Sequence, residues 1–329
     1  MPSKRPAPNL PFPPLNQCPH FELPGVDPAT RQWGDYDRRT GEYVITQPNT
    51  PQPWYNYLTN GKFTSYISHT GGGTNFHDDA QNRRILRTHI HSRPIDHPGR
   101  WVYIRDRQTG QHWSATWSPT YDNLARYQYE GRVGPGYTRI RSTYKGVSTS
   151  ITYFVPPDAD CEIWSMTVTN DGDKPRQLDL FPYSEFILWS QGRDENLDAG
   201  FKCTDVVADG NAIIHQSMYD FTGDNFGWAR QYACLASSVK PAGFDTLIDA
   251  FVGPYNGYSA PAAVVAGKCS NYVNRSGHPC AAMQIPVTLA PGKTKRINFI
   301  VGYAADARAI RSLARSEEHT SELQSPNTI

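Results

Sequence analysis

The chain has 329 residues, 38% hydrophobic and 12% aromatic, enough apolar surface for one large domain or two ordinary ones with a real core. Lys and Arg number 32 against 31 Asp and Glu, a formal charge of +1, which excludes a general field for nucleic acid or an anionic membrane. No apolar run approaches the roughly 20 residues of a membrane helix, and MPSKRPAPNLPFPPLNQ lacks an apolar h-region, so a cytoplasmic location is expected.

Residues 1–31 are proline-rich, carry almost no periodic apolar pattern and read as an extended arm. From Trp33 onward, short β-branched and aromatic runs alternate with Gly, Pro, Asn and Asp: EYVIT from Glu42, FTSYISH from Phe63, WVYIRD from Trp101 and TSITYFVP from Thr149. This pattern predicts an all-β domain over 32–305. So many strands favour a large two-sheet antiparallel β-sandwich over a small barrel.

The segment CEIWSMTVTN, DGDKP, RQLDLFPYSEFILW predicts a hairpin. Trp164, Met166 and Val168 share one face by alternation, and the Asp, Gly and Pro cluster supplies turn chemistry. In KRINFIVGYA, Ile297, Phe299, Val301 and Tyr303 alternate with Asn298, Ile300 and Gly302, predicting one buried face. After Tyr303 the period changes: Asp306 caps a predicted linker helix over 306–314 that carries Ile310 and Leu313 on one side. No internal repeat is present. The run RSEEHTSELQS, Arg315 to Ser325, reads as the translation of a common sequencing adapter. Residues 315–329 are therefore set aside as adapter-derived, and the natural protein is expected to continue.

Six cysteines (Cys18, Cys161, Cys203, Cys234, Cys269, Cys280) lie far apart with no CxxC, predicting free thiols; the Cys269 and Cys280 spacing can bridge a loop only in an oxidising compartment. The sequon Asn274, Arg275, Ser276 is expected to be inert. Paired carboxylates occur at Asp78, Asp79 and at Asp194, Glu195, but adjacent residues point to opposite faces of a strand, so loop solvation is the better reading. His89 and His91 share a strand face and make half a metal site; no further ligand pattern follows, and hydrogen-bonded or exposed histidine is favoured for them and for His69, His77 and His97. No metal or cofactor is expected. Gly71, Gly72 and Gly73 precede no Lys with Ser or Thr, so they predict a positive-φ turn, not a phosphate loop. Arg83, Arg84 and Arg87 flank Ile85 and Leu86 and read as a solvated strand face in preference to an anion site. Trp101, Tyr103, Trp113 and Trp117 lie close together; such rings stack on sugars and equally fill sandwich cores, and the sequence leaves both readings open.

The stretch from Gly34, GDYDRRTGEYVITQPNTPQPWYNYLTNGKFTSYISHTGGGTNFHDDAQNRRILR, with the later blocks HPGRWVYIRD, WSATWSP, GPGYTRI, YFVP, IWSMTVTN, SEFILW and DAFVGPYNG, resembles the amino-terminal part of family 94 glycoside phosphorylases, the cellobiose and chitobiose phosphorylase group. The family pattern runs YGYFDD, REYVIT, TPxPWxNYLG, SHxxGGYSFY and RRxTR, and the match extends from Gly34 to Tyr303. The resemblance implies a cytosolic enzyme that cleaves a β-linked disaccharide with inorganic phosphate, inverting the anomeric centre to give an α-sugar 1-phosphate. One carboxylic acid protonates the leaving oxygen while phosphate, the co-substrate, attacks.

In that family the catalytic acid lies in an (α/α)6 barrel that follows the super-sandwich, so the resemblance implies no catalytic residue and no activity in this chain alone. It further implies a homodimer and a loop after SEFILW that approaches the partner's cleft. Cellobiose phosphorylases carry a Gln-Arg-Asn run there. Here the loop reads SQGRDENLDAGFKCTDVV, and the positions near Ala199, Gly200 and Phe201 lack that arginine. AGKCSNYVNRSGHPC is closer to the chitobiose phosphorylase side. Gln191, Arg193, Asp194 and Asn196 in this loop are the substrate-edge candidates, with an ordinary surface loop as the slightly favoured reading. The alternatives are a stand-alone carbohydrate-binding module and a purely structural dimerisation domain.

Overall fold

A computed structural model describes residues 33–88, 94–189, 202–206, 211–217, 231–275 and 277–315. They form two large antiparallel sheets. One has ten strands, in spatial order Gly34–Asp37, Glu42–Ile45, Gln128–Gly134, Tyr137–Tyr144, Val147–Phe154, Cys161–Asn170, Thr294–Ala304, Gln231–Ser237, Ala212–Ser217 and Lys202–Val206. The other has nine, running from Gly243–Leu247 through Pro279–Leu289 and Arg176–Trp189 to Arg84–Leu86, Gly73–His77, Phe63–Ser68 and Tyr55–Thr59. Trp101–Asp106 pairs with the first half of Arg176–Trp189, and His112–Ser114 pairs with it in turn. The all-β two-sheet sandwich read from the alternation is the architecture observed.

The predicted hairpin over 161–189 does not form, although both strands exist with the predicted ends. Cys161–Asn170 pairs with Val147–Phe154 and Thr294–Ala304 in the ten-stranded sheet, whereas Arg176–Trp189 pairs with Pro279–Leu289 in the other. The DGDKP turn is an arch that carries the chain across the core. Trp164, Met166 and Val168 thus face Leu178 and Leu180 through side chains, all within one buried cluster, and not through a backbone ladder. The turn residues encode a reversal. Whether it spans about 5 Å to a ladder neighbour or about 10 Å to the facing sheet is decided by which partners cover each strand. Pro279–Leu289 and Thr294–Ala304 make a second arch beside the first. Asn170, fully buried, fastens the two. Its Nδ2 donates to Lys174 O at 2.8 Å and Leu289 O at 3.1 Å, its backbone N–H donates to Lys293 O, and its own carbonyl accepts from Gly292 N.

Burial is also more extensive than one face per strand. Trp101, Tyr103, Phe181 and Tyr183 point away from the central core yet are fully buried, because the short helices Ile248–Phe251 and Ala262–Ala266 cover them with Phe251 and Val264. On the ten-stranded sheet, the helix Ala307–Arg315 seals Ile214, Tyr232 and Cys234 with Ile310. Asp306 caps this helix as predicted, its Oδ1 accepting from Arg308 N at 2.9 Å and Ala309 N at 2.8 Å. Gly302 makes the seal possible: a Cβ there would lie 2.4 Å from Leu313 Cδ2.

One ion pair crosses the central core. Arg100 Nε lies 2.6 Å from Glu162 Oε1, and both side chains have zero exposure. Trp164 Nε1 donates to the same oxygen at 2.6 Å and Ser65 Oγ donates to the other; Arg100 Nη1 donates to Gly72 O at 3.1 Å. Glu162→Gln keeps the shape but leaves the guanidinium without its counter-charge. It is expected to lower the unfolding free energy by about 3–5 kcal/mol, read from urea denaturation by tryptophan fluorescence; a loss below about 1 kcal/mol contradicts this.

Candidate functional site

A cleft of ≈ 630 Å³ bears several polar groups. One wall is the Pro48–Pro53 turn, between Glu42–Ile45 and Tyr55–Thr59; the other carries Trp117 and Tyr121; Asp96 lines it from below. Each part is held by local chemistry.

The glycine-rich turn after Phe63–Ser68 adopts positive φ at Gly71 (83°) and Gly73 (102°), as the sequence predicts. Gly72 between them is required for a different reason, since a Cβ would lie 2.2 Å from Asp96 Oδ2. Ser68 Oγ accepts from Gly72 N at 2.9 Å and donates to Asp96 Oδ2 at 2.6 Å. Thr70 Oγ1 donates to the same oxygen at 3.3 Å. Asp96 Oδ1 is buried and has no hydrogen-bond partner among the described residues.

His69 Nδ1 accepts from Trp54 N at 3.2 Å, so Nε2 carries the proton and donates to Pro48 O at 2.8 Å. That tautomer ties the Pro48–Pro53 turn to the glycine turn. His97 Nε2 lies 2.9 Å from Ser118 Oγ and 2.8 Å from Tyr121 OH, with the ring edge-on to Trp101 at 4.9 Å. Burial lowers the pKa of both imidazoles below the ordinary value and keeps them neutral near pH 7. Burial also pushes the Tyr121 phenol up to about 12.

Trp117 and Tyr121 are T-shaped at 5.0 Å and both have positive φ, 69° and 54°, a strained region for bulky residues that persists only where the surroundings impose it. The surroundings are visible: Trp117 N donates to Tyr127 OH and its indole N–H donates to Asp122 O, each at 2.8 Å.

A second polar cluster lies under the helix Ile248–Phe251 and the loop after it. Glu185 is buried; Oε1 accepts from Tyr183 OH at 2.5 Å and Tyr258 OH at 2.8 Å, and Oε2 pairs with Arg87 Nη1 at 3.2 Å. Arg87 is 2% exposed, which corrects the reading of Arg83, Arg84 and Arg87 as a solvated face. The run leaves the strand Arg84–Leu86 at Arg87, whose guanidinium follows the backbone bond to Glu185 O into the interior. Arg83 fits the solvent-side reading better, at 3.5 Å from the half-exposed Asp78.

The substrate-edge residues Gln191, Arg193, Asp194 and Asn196 lie outside the described residues, as do Glu195, Ala199, Gly200, Phe201, His89, His91 and Cys18. His69, His77 and His97 are hydrogen-bonded histidines, as expected; His77 bonds Asp160 at 3.0 Å. Asp79 solvates its own turn by accepting from Gln81 N and Asn82 N. Among the described residues no three ligand-type side chains cluster for a metal, and no helix is long and apolar enough to cross a membrane. Cys161, Cys269 and Cys280 are free and buried, and Cys234 is buried too, as is Asn274 of the sequon. The aromatic group divides: Trp101 and Tyr103 pack under the helices, Trp113 fills the core, and Trp117 alone lines the cleft. Asp96 was missed from sequence because a single Asp between prolines looks like turn chemistry.

Residues 41–320 match the family model described as glycosyl hydrolase 94, supersandwich domain. N,N'-diacetylchitobiose phosphorylase of Vibrio furnissii is 32% identical over 271 residues, 82% of this chain and 33% of that protein. Solabiose phosphorylase of Paenibacillus borealis is 29% identical over 285 residues, 86% of this chain and 36% of that protein. From the same organism, 3-O-beta-D-glucopyranosyl-beta-D-glucuronide phosphorylase is 32% identical over 287 residues, 85% of this chain and 34% of that protein. The chain thus spans about a third of the length of the curated relatives it matches.

The lowered imidazole pKa values give the fold a pH dependence. The unfolded chain takes up protons at His69 and His97 that the folded chain refuses, so this stability is complete above the ordinary histidine pKa of about 6.5 and lost below it. The urea midpoint is expected to fall from about pH 7.5 to about pH 5.5, with a shallower fall in His97→Gln; an identical slope in the variant removes His97 from the account.

Proposed function

The chain belongs to the glycosyl hydrolase 94 supersandwich family, and on that premise we propose that it is the amino-terminal, carbohydrate-associated domain of an inverting β-disaccharide phosphorylase. Disaccharide and inorganic phosphate give an α-sugar 1-phosphate and a free sugar, in a cytoplasmic homodimer. The observation that supports this reading is that three relatives, 29–32% identical to the chain over more than 80% of its length, are phosphorylases by name.

The described geometry is compatible with a supporting role. A single carboxylate, Asp96, lines the cleft, with one oxygen committed to two hydroxyls, whereas hydrolytic inversion needs two opposed carboxylates. A phosphorylase needs one acid, because phosphate is the nucleophile. In this reading that acid comes from a barrel encoded beyond residue 314, and residues 1–31, 32–305 and 306–314 are arm, sandwich and linker helix. Gln191, Arg193, Asp194 and Asn196 border the sugar site of the assembled enzyme.

The 329-residue chain, incubated with phosphate and N,N'-diacetylchitobiose or cellobiose, is expected to release no sugar 1-phosphate, while the uninterrupted gene read across the Arg315 codon yields an enzyme that does. Phosphorolysis by the short chain, or a long product inert on every β-disaccharide, overturns the proposal. In the long enzyme Arg193→Ala is expected to raise KM for the disaccharide about fivefold with kcat changed less; unchanged KM removes Arg193 from the substrate edge.

A further inference from the structure

The described residues that line the Asp96 cleft are not those that the phosphorylase reading assigns to substrate, and their chemistry is specific. Asp96 is 1% exposed. Its Oδ2 is satisfied by Ser68 and Thr70, and its Oδ1 is buried without a partner. A buried acceptor left unpaired is costly, and such groups are rare in folded proteins. The carboxylate is not adjustable, because Gly72 packs directly on it and Gly73 N donates to Asp96 O at 2.8 Å. This oxygen lacks a donor, and Asp96 lines the cleft through which one can come.

The walls restrict what that is. Tyr121 is 41% exposed and Trp117 stands perpendicular to it, both held at positive φ, so the Tyr121 ring is presented with the Trp117 ring beside it, at the cost of backbone strain. Prolines of the facing turn add apolar C–H surface, and exposed Asn49 and Gln52 supply neutral donors and acceptors together. A cation calls for acceptors only, and no cluster of metal-type ligands accompanies Asp96 among the described residues. A neutral ring with apolar C–H faces and equatorial hydroxyls uses every one of these features, and ≈ 630 Å³ lies in the range of small-molecule sites.

We propose that this cleft binds a pyranose ring of a neutral sugar, stacked on Tyr121 beside Trp117, with one hydroxyl donating to Asp96 Oδ1. The site is an ancillary carbohydrate site of the sandwich itself. It goes beyond the phosphorylase reading, since it requires neither phosphate nor a catalytic acid, so each can fail without the other.

The test titrates the full 329-residue chain with glucose, N-acetylglucosamine, cellobiose and N,N'-diacetylchitobiose, following tryptophan fluorescence and calorimetric heat. At least one sugar is expected to bind saturably. Tyr121→Ala, at an exposed position, is expected to weaken that binding about tenfold through lost stacking, and Asp96→Asn to weaken it about tenfold through the lost charged acceptor, with circular dichroism unchanged. If Asp96→Asn fails to fold, Tyr121→Ala decides alone. No saturable binding of any of the four sugars, or equal binding by wild type and Tyr121→Ala, overturns the proposal. Binding of guanidinium in place of sugar, abolished by Asp96→Asn, overturns it as well and assigns the cleft to a basic side chain.

Discussion

The geometry of this domain depends first on the Arg100–Glu162 ion pair, whose side chains are fully buried between the two sheets. Removing two ions from water costs several kcal/mol each, and only close approach with complete hydrogen bonding offsets it. The surroundings go far toward that condition: Trp164 and Ser65 donate to Glu162 and Gly72 O accepts from Arg100, and Tyr153 OH bonds Arg100 O. Because Arg100 stands just before Trp101–Asp106 on one sheet and Glu162 lies within Cys161–Asn170 on the other, the pair sets where the sheets sit relative to each other.

The same guanidinium fixes the cleft. Arg100 grips Gly72 O with its side chain and Gly71 O with its backbone N–H, so the glycine turn has one conformation. Asp96 packs on Gly72 with no space for a Cβ, and its carboxylate is thereby oriented. A chain of contacts thus runs from the core ion pair to the binding surface, and the fold and the candidate site are the same construction seen from inside and outside. The arches contribute the other constraint, with Asn170 stitching two core crossings together so that neighbouring strands in one sheet continue into neighbouring strands in the other.

Much of this was legible in the residues. Alternation in Trp164, Met166 and Val168, and in Ile297, Phe299 and Val301, marked the core faces because side-chain period is a local property of an extended chain. Asp306 marked the helix start, and Gly71 to Gly73 marked a turn, because capping and positive φ are also local. The site was harder. Asp96 is distinguished by an oxygen left unpaired among groups from Ser68, Thr70 and Gly72, more than twenty residues away, and no spacing rule records that. Trp113 and Trp117 look alike in WSATWSP, yet one is core and the other lines a cleft.

The sequence by itself determined the all-β class, the ends of the strands Cys161–Asn170 and Arg176–Trp189, the cap at Asp306 and, through its motif blocks, the family. Only the tertiary structure decided that 161–189 is an arch and not a hairpin, that Arg87 turns inward to Glu185, and that Asp96 meets the rings of Trp117 and Tyr121 across one cleft. The reason is common to all three. Local pattern fixes which face of a strand is apolar, but which partner covers that face, and which charge finds which counter-charge, depends on free-energy differences between distant pairings that become defined only when both sheets close on one core.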